Sequence, residues 1–393
     1  MEDIYIVGAV RTAVGDFGGS LKGFKPAELG GMVAAEAIAR AGLVPSDVEH
    51  VVFGQVGSTS ARDAYLGRVA ALKADIPAEV PALTLNRLCG SGVQAIVSAA
   101  QMMKLGEAQI TVAGGAESMS NTPFHDHSTR WGHKMGNVQL EDALIVGLSD
   151  PIGDYHMGIT AENVAARHCI SRDEMDALAV TSHQRAAHAQ EEGRFREQIL
   201  PIEIKTRKGV VLFDTDEHVK RDTTVAVLGA MKPAFKKDGT VTAGNASGLN
   251  DGAAAVVLAT GAAVAEKGLK SLGRIVAWGH AGVAPEYMGE GPIKAVPIAL
   301  ERAGLVLEQI DVIESNEAFA AQAAAVAKVL GFDSEKTNPN GSGVGLGHPV
   351  GATGVILTVK ALYELKRIGG QYGLVTMCIG GGQGIALIVQ NTP

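Results

Sequence analysis

Two segments of this chain are near copies of each other, and that duplication limits the folds open to it. Ala41-Gly42-Leu43-Val44 returns as Ala303-Gly304-Leu305-Val306, a shift of 262 residues (305 − 43). The same shift carries Gly92 onto Gly354 and sets Leu88-Cys89-Gly90-Ser91-Gly92 opposite Val350-Gly351-Ala352-Thr353-Gly354. Further on, Ala113-Gly114-Gly115 faces Ile379-Gly380-Gly381, with the shift grown to 266 (379 − 113). Each copy runs through an apolar helical stretch, a short strand and a Gly-rich turn into a helix, then a strand ending in glycines. A unit of that size is too large for a solenoid repeat and reads as a duplicated α/β domain with a pseudo-twofold axis. The copies differ where chemistry would sit: Cys89 in one turn, His348 close to the matching turn of the other. A pseudo-twofold brings those turns to one place.

The 393 residues suffice for two or three domains, and 46% hydrophobic against 19% charged residues allows large cores. Aromatics are only 4% while there are 50 glycines, which suits aliphatic layers packed closely through glycine. A formal net charge of −8 argues against a general nucleic-acid binder. It leaves room for one basic pocket. No apolar run approaches the roughly 20 residues that span a bilayer. The start, Met1-Glu2-Asp3-Ile4, has no basic n-region of a secretory signal, and the end, Gln390-Asn391-Thr392-Pro393, is not the Ser-Lys-Leu address. Three cysteines are no disulfide framework, so the expected setting is a reducing cytoplasm, away from the membrane.

Residues 1–119 are expected to alternate strands (4–7, 51–53, 110–113) with helices (28–41, 93–104). Residues 270–393 repeat that rhythm, with strands near 274–278, 312–314 and 374–378 and helices near 318–330 and 354–366. The stretch between is richer in His, Met and charge, helix-like over 159–194 and polar over 205–237. It closes on a cluster of turn residues, Gly244-Asn245-Ala246-Ser247-Gly248-Leu249-Asn250-Asp251-Gly252. Residues 120–249 therefore read as an insertion covering the site, after which a strand at 254–259 rejoins the first half. The expected organisation is 1–119 with 250–269 as one half, 120–249 as a loop domain, and 270–393 as the other half.

Cys89 falls in a turn between an apolar run and a helix, so its thiol stands at a helix N-terminus. There the macrodipole and free N–H groups favour thiolate and can hold an oxyanion. A buried core cysteine is the competing explanation. His348, in Gly345-Leu346-Gly347-His348-Pro349-Val350-Gly351, is a general-base candidate or the holder of a structural hydrogen bond in a tight turn. Cys378 leads into Gly380-Gly381-Gly382-Gln383-Gly384, either an anion nest or a close-packed turn. Asn316, after an apolar strand, could orient a water or a carbonyl, or cap a helix. His125-Asp126-His127 lacks a convincing four-ligand metal pattern and reads as a solvated loop. Cys169 is expected inside a helix and inert.

Taken together these segments resemble the thiolases. The resemblance rests on Leu85-Asn86-Arg87-Leu88-Cys89-Gly90-Ser91-Gly92, Asn316-Glu317-Ala318-Phe319, Gly347-His348-Pro349-Val350-Gly351-Ala352-Thr353-Gly354 and Cys378-Ile379-Gly380-Gly381-Gly382-Gln383-Gly384. It extends over the whole chain, including Arg11-Thr12-Ala13-Val14-Gly15 and His156-Met157-Gly158-Ile159-Thr160-Ala161-Glu162-Asn163, and is nearest to bacterial acetyl-CoA acetyltransferases and short-chain β-ketothiolases. It implies an α/β fold of two pseudo-twofold-related halves in five layers, αβαβα, with an inserted loop domain. It implies that Cys89 takes the acyl group, His348 takes the Cys89 proton, and Cys378 moves the α-proton of a second acetyl-CoA. His348 with a water on Asn316 would hold one oxyanion, and the backbone N–H groups of Cys89 and Gly380 the other. His156, Met157, Phe235, Ser247, Met288 and Phe319 would line the pantetheine tunnel. Lys220, Arg221 and Val227 would stand at the nucleotide end, where relatives often carry Arg and Ser. No permanent cofactor or metal is implied; acetyl-CoA, acetoacetyl-CoA and CoA are the small-molecule partners. The implied assembly is a homotetramer built as a dimer of dimers, joined through loops near residues 129–136.

Gly345, where relatives often carry a larger residue, is expected to enlarge the acyl pocket. A decarboxylating ketosynthase would use one Cys with two His, whereas here Asn316 takes the second His position and Cys378 is added. The sterol-carrier branch has His-Asp-Cys-Phe in place of Asn316-Glu317-Ala318-Phe319. The remaining alternatives are a broader-range 3-oxoacyl-CoA thiolase of fatty-acid degradation and a non-catalytic acyl-CoA-binding subunit, the latter opposed by the presence of all four reactive side chains.

Overall fold

The computed structural model describes residues 2–207 and 209–392; Met1, Pro393 and Lys208 of the polar stretch lie outside the described residues. The first half contributes strands β1 (Ile4–Thr12), β2 (His50–Gly54), β3 (Ala82–Leu85), β4 (Ile110–Ser118) and β5 (Asn250–Thr260). The second contributes β6 (Gly273–Gly282), β7 (Val312–Ser315), β8 (Tyr372–Ile379) and β9 (Gln383–Gln390). Their order is β7-β8-β9-β6-β1-β5-β4-β2-β3. Read outward from the middle, the two halves match strand for strand: β1 with β6, β5 with β9, β4 with β8, β2 with β7. The half-sheets join through one short antiparallel contact, Ile4↔Ile275 to Ile6↔Gly273.

The helices of eight residues or more among the described residues are α1 (Pro26–Arg40), α2 (Leu66–Lys73), α3 (Ser91–Lys104), α4 (Met157–His168), α5 (Arg172–Glu191), α6 (Gly291–Ala303), α7 (Ala320–Leu330) and α8 (Val350–Ile368). Strand alternation sorts the core into layers. On β4, Ile110 and Val112 join Val33, Ala37 and Ala70 of α1 and α2 in an outer core. Ala113 instead faces a central core holding Val93, Ile96 and Val97 of α3 and Val355, Val359 and Leu362 of α8. That core is closed on its far side by Val375, Met377 and Leu387 of the second half-sheet. Leu374 and Ile388 point the other way, onto Ala295 and Ala299 of α6. The stacking is helix, sheet, helix, sheet, helix, as expected.

The duplication is visible in local chemistry too. α1 is followed by Gly42 (φ 71) and α6 by Gly304 (φ 66), the left-handed position that favours glycine after a helix. Each then enters a short turn, in which Val44 N–H donates to Asp47 Oδ2 at 2.8 Å and Val306 N–H to Gln309 Oε1 at 3.0 Å.

Several elements differ from expectation. The helix-like stretch 159–194 is two helices, because the chain turns left-handed at Cys169 (φ 51), which is exposed and not inside a helix. The polar stretch contains part of an antiparallel hairpin, Ile202–Thr206 with Gly209–Phe213. The run after Cys378 turns at once into β9, so its glycines form a hairpin between β8 and β9. The first half also binds the intervening segment firmly: Arg11 on β1 is fully buried and pairs with both oxygens of Asp216, at 2.6 and 3.0 Å.

Candidate active site

Cys89 sits between β3 and α3, two residues before the first helical residue. The turn is fixed by its own side chains. Leu88 N–H donates to Asn86 Oδ1 (2.8 Å), Arg87 N–H to Ser91 Oγ (2.8 Å), and Ser91 Oγ–H to the Leu88 carbonyl (2.7 Å). Leu88 is left-handed (φ 48), a conformation costing a non-glycine residue roughly 1–2 kcal/mol, so these three bonds hold a strained backbone. Gly90 lies against Ile379 at the end of β8, where a Cβ would come within 2.5 Å of Ile379 Cδ1. That close approach sets Gly380 beside the thiol, where the backbone N–H groups of Gly380 and of Cys89 itself favour the charged sulfur.

His348 belongs to the turn before α8. Its N–H donates to Asn250 Oδ1 at 2.9 Å, and its Nδ1 is 2.7 Å from Thr353 Oγ1. Thr353 Oγ–H donates to the Pro349 carbonyl (3.0 Å), so it accepts the Nδ1 proton and leaves Nε2 as the free base. Asn316 Nδ2 is 3.4 Å from that nitrogen, and its buried Oδ1 has no hydrogen-bond partner among the described residues. Asn316 is tied to β8 by its N–H bond to the Thr376 carbonyl (2.9 Å), two residues before Cys378. Beneath it, Glu317 accepts from Ser182 Oγ (2.6 Å), Asn338 Nδ2 (2.8 Å) and Val344 N (3.3 Å). Those bonds anchor Asn316 to the loop that carries His348.

Burial dominates the electrostatics. It pushes the Cys89 thiol up to about 11 despite the two N–H donors, with the Glu117 charge adding to the rise. Burial also drives the Cys378 thiol well above its ordinary range, with Cys89 nearby contributing, and lowers His348 to about 4. The N–H groups act toward thiolate as expected, but desolvation is the larger effect and leaves the thiol raised. Burial thus favours the neutral form of both thiols and of the imidazole. A cavity of about 350 Å³ opens onto Cys89, lined also by Leu88, Glu117, Met157, Val350 and Gly380.

Residues 4–262 match the family description "Thiolase, N-terminal domain" and residues 269–391 match "Thiolase, C-terminal domain". The chain belongs to the thiolase family. It is 57% identical to the β-ketothiolase BktB of Cupriavidus necator, over 99% of both chains. Against an acetyl-CoA acetyltransferase of Pseudomonas aeruginosa it is 50% identical over 98% of this chain and 99% of the other. The human mitochondrial 3-ketoacyl-CoA thiolase superposes with a TM-score of 0.98 at 45% identity, covering 100% of this chain and 99% of that one.

In this thiolase the residues expected along the pantetheine tunnel and those expected at the nucleotide end are placed differently. Met157, Phe235, Met288 and Phe319 share one apolar cluster with Cys378. The His156 ring stacks on Phe235 at 4.7 Å, and Phe235 meets Phe319 edge-on at 6.0 Å. Ser247 joins them by backbone, its N–H donating to the Ala318 carbonyl at 3.0 Å. Lys220 and Arg221 are placed differently. Lys220 Nζ pairs with Asp16 at 2.9 Å and Arg221 with Glu191 at 2.5 Å, so each cation already has a carboxylate. Val227 is exposed. Gly345 also departs from expectation: a Cβ there would lie 2.6 Å from the Ser182 carbonyl of α5. Its missing side chain makes room for a helix and does not widen the acyl pocket. His127 pairs with Glu141 on an exposed loop, and no group of three or more possible metal-ligating side chains occurs among the described residues.

Three residues at the site escaped sequence reasoning. Asn250 and Thr353 hold His348 but carry no reactive group of their own. Glu117 lies 1% exposed at the end of β4. Its signal was present in Ile110-Thr111-Val112-Ala113-Gly114-Gly115-Ala116-Glu117: a carboxyl in an otherwise uncharged strand requires buried partners. Burial pushes that carboxyl up to about 7, opposed by N–H donors from Gly351, Gly57 and Val56.

Proposed function

We propose that this chain is an acetyl-CoA C-acetyltransferase, condensing two acetyl-CoA to acetoacetyl-CoA and cleaving short-chain 3-oxoacyl-CoA with CoA in reverse. The observation that carries this reading is the cavity of about 350 Å³ that Cys89 lines together with Gly380 and Val350, the last belonging to the turn in which Asn250, Thr353 and Asn316 hold His348. Its named relatives support the same chemistry.

In the first half-reaction Cys89 Sγ bonds to the thioester carbon while His348 Nε2 takes the thiol proton. With the thiol near 11 and the imidazole near 4, proton transfer accompanies attack instead of preceding it. The C–S bond to CoA then breaks, and His348 returns the proton to the departing CoA sulfur. In the second, Cys378 passes its proton to His348 and, as thiolate, takes the α-proton of acetyl-CoA. The enolate carbon attacks acyl-Cys89, the C–Sγ bond breaks, and His348 protonates Cys89. Both thiols end neutral. Developing negative oxygen is met by the Cys89 and Gly380 N–H groups on one side, and by His348 with a water on Asn316 on the other.

The pantetheine arm lies against His156, Met157, Phe235, Ser247, Met288 and Phe319, under a cover formed by residues 120–249 between the halves 1–119 with 250–269 and 270–393. Lys220 and Arg221 reach the nucleotide end only by exchanging their carboxylate partners for phosphate. The active assembly is a homotetramer, supported by Trp131 (89% exposed) and Met135 (92% exposed), large apolar side chains with no cover in the monomer. A cytoplasmic setting suits free thiols; among the described residues no helix is long and apolar enough to cross a membrane.

The test is direct. Purified chain should consume acetoacetyl-CoA only when free CoA is added, and acetyl-CoA should leave an acetyl group on Cys89. Mass-spectrometric label on exposed Cys169 in its place would overturn the assignment.

A further inference from the structure

We infer that Glu117 is a positioning residue for acyl transfer: its carboxylate holds the His348 turn over Cys89 by gathering backbone N–H groups from both halves of the molecule. The inference rests on the proposed acyl-transfer reading and adds to it a residue that none of its steps uses.

Strand alternation aims Glu117 inward. Along β4, Thr111 Oγ1 reaches Met103 of α3 at 3.3 Å, Ala113 joins the central core, and Gly115 lies under the start of α8. Glu117 is the next residue on that face. Oε2 accepts from Gly351 N at 2.7 Å and Val56 N at 3.1 Å, and Oε1 from Gly57 N at 2.9 Å. Gly351 is the second residue of α8 and three residues past His348, so the bond sets where the turn ends. Asn250 sets where it begins, through the His348 N–H.

The backbone there has no slack. A Cβ on Gly115 would lie 2.2 Å from the Gly351 carbonyl, and one on Gly351 would lie 2.7 Å from Glu117 Oε2. A carboxylate suits the place because it only accepts, whereas a carboxamide would turn its NH2 against one of three N–H donors. It also gains from the positive end of α8. The second half lacks the device: the position 266 residues on is Gln383, which accepts from Arg87 at 3.2 Å. Glu117 also lines the cavity onto Cys89, and its charge faces that thiol.

Three measurements on the full-length enzyme decide the matter: single-turnover acetylation of Cys89, steady-state kcat and KM on acetoacetyl-CoA, and the pH dependence of Cys89 alkylation by iodoacetamide. Wild-type acetylation tests the parent reading and must succeed first. Glu117→Gln should then lower acetylation and kcat up to about 100-fold, the loss that misplacing a reacting group by about 1 Å can bring, with KM within about twofold. Its alkylation profile should move to lower pH, since one negative charge facing the thiol is gone while His348, Cys378 and Asp251 remain. Glu117→Asp, shorter by one methylene but still acceptor-only, should recover part of kcat and serves if the Gln variant does not fold. Wild-type kcat in Glu117→Gln, a raised KM at unchanged kcat, an alkylation profile unmoved in Glu117→Gln, or a Glu117→Asp variant no more active than Glu117→Gln would overturn the role.

Discussion

Gly92 and Gly354 stand backbone to backbone where α3 and α8 begin. A Cβ on Gly354 would lie 2.3 Å from Val93 N, and one on Gly92 would lie 2.7 Å from Val355 N. These are the two residues that the 262-residue shift superimposes, so the pseudo-twofold axis passes between them. Because the helices meet at their first turns, the loops entering them converge. One loop carries Cys89 and the other His348, so the asymmetric candidate site lies across a symmetric contact.

Gly354→Ala should accordingly disrupt the molecule as a whole. The added methyl meets backbone, which cannot swing aside, so the cost should reach or exceed the roughly 1–3 kcal/mol typical of overpacking. Thermal denaturation would register it as a lowered Tm or loss of soluble protein. A variant as stable as wild type would mean the helices separate without penalty.

The two thiols should separate by half-reaction. Cys89→Ala should lose acetylation, condensation and thiolysis together. Cys378→Ala should still accept acetyl on Cys89 yet form no carbon–carbon bond. Equal loss of acetylation in both variants would contradict the division of roles.

The pH profile follows from the direction of each shift. His348, lowered to about 4, is the free base throughout the neutral range, and Cys89, raised to about 11, stays a thiol. Activity should be nearly level between about pH 8 and 9, falling toward pH 6 as the Glu117 carboxylate, raised to about 7, gains a proton and frees the His348 turn, and further on the acid side as the imidazole gains one. A rise tracking a group near the ordinary thiol value would show instead that thiolate forms before attack. Stability has a related sign. Burial also lowers His183 to about 4 from 6.5, with the charges of His218 and Lys220 adding to the fall. Between those values the unfolded chain binds more protons, so this contribution is present above pH 6.5 and is lost as pH falls toward 4. His183→Gln should show a smaller fall in Tm over that interval than wild type.

Removing residues 130–136 should convert tetramers to dimers that keep part of their activity, since Cys89, Asn316, His348 and Cys378 all lie outside that segment. Light scattering of the deletion variant and of wild type checks both statements. A stable, active wild-type monomer would refute the proposed assembly.

Substrate length should be limited gradually. Met157 and Met288 belong to the apolar cluster around Cys378, and thioether side chains can narrow a channel yet shift for a slightly longer chain. Four-carbon 3-oxoacyl-CoA should turn over best, with measurable rates on five- and six-carbon substrates and a steep fall beyond. One methylene discriminates by only about 1–3 kcal/mol in an apolar pocket. Equal rates on 3-oxodecanoyl-CoA would place the enzyme among long-chain degradative thiolases.

The sequence alone determined the duplication and the five layers and singled out Cys89, His348 and Cys378 as candidates, because each leaves a local mark: a repeat at fixed spacing, apolar alternation, a Cys or His among glycines. Cys169 shows the limit of such marks. Its surroundings are helical on both sides, and only the folded chain shows the left-handed turn there. Gly345 is similar, since a missing side chain does not say what fills its place, and that proved to be Ser182 of α5, 163 residues away (345 − 182). Tertiary structure also decided the protonation states. A helix terminus is legible in sequence and argues for thiolate, whereas desolvation depends on everything packed around the sulfur and here outweighs it. The partners of Glu117 come from positions 56, 57 and 351. Backbone N–H groups are the same in every non-proline residue, so only the fold could say which three this carboxylate would find.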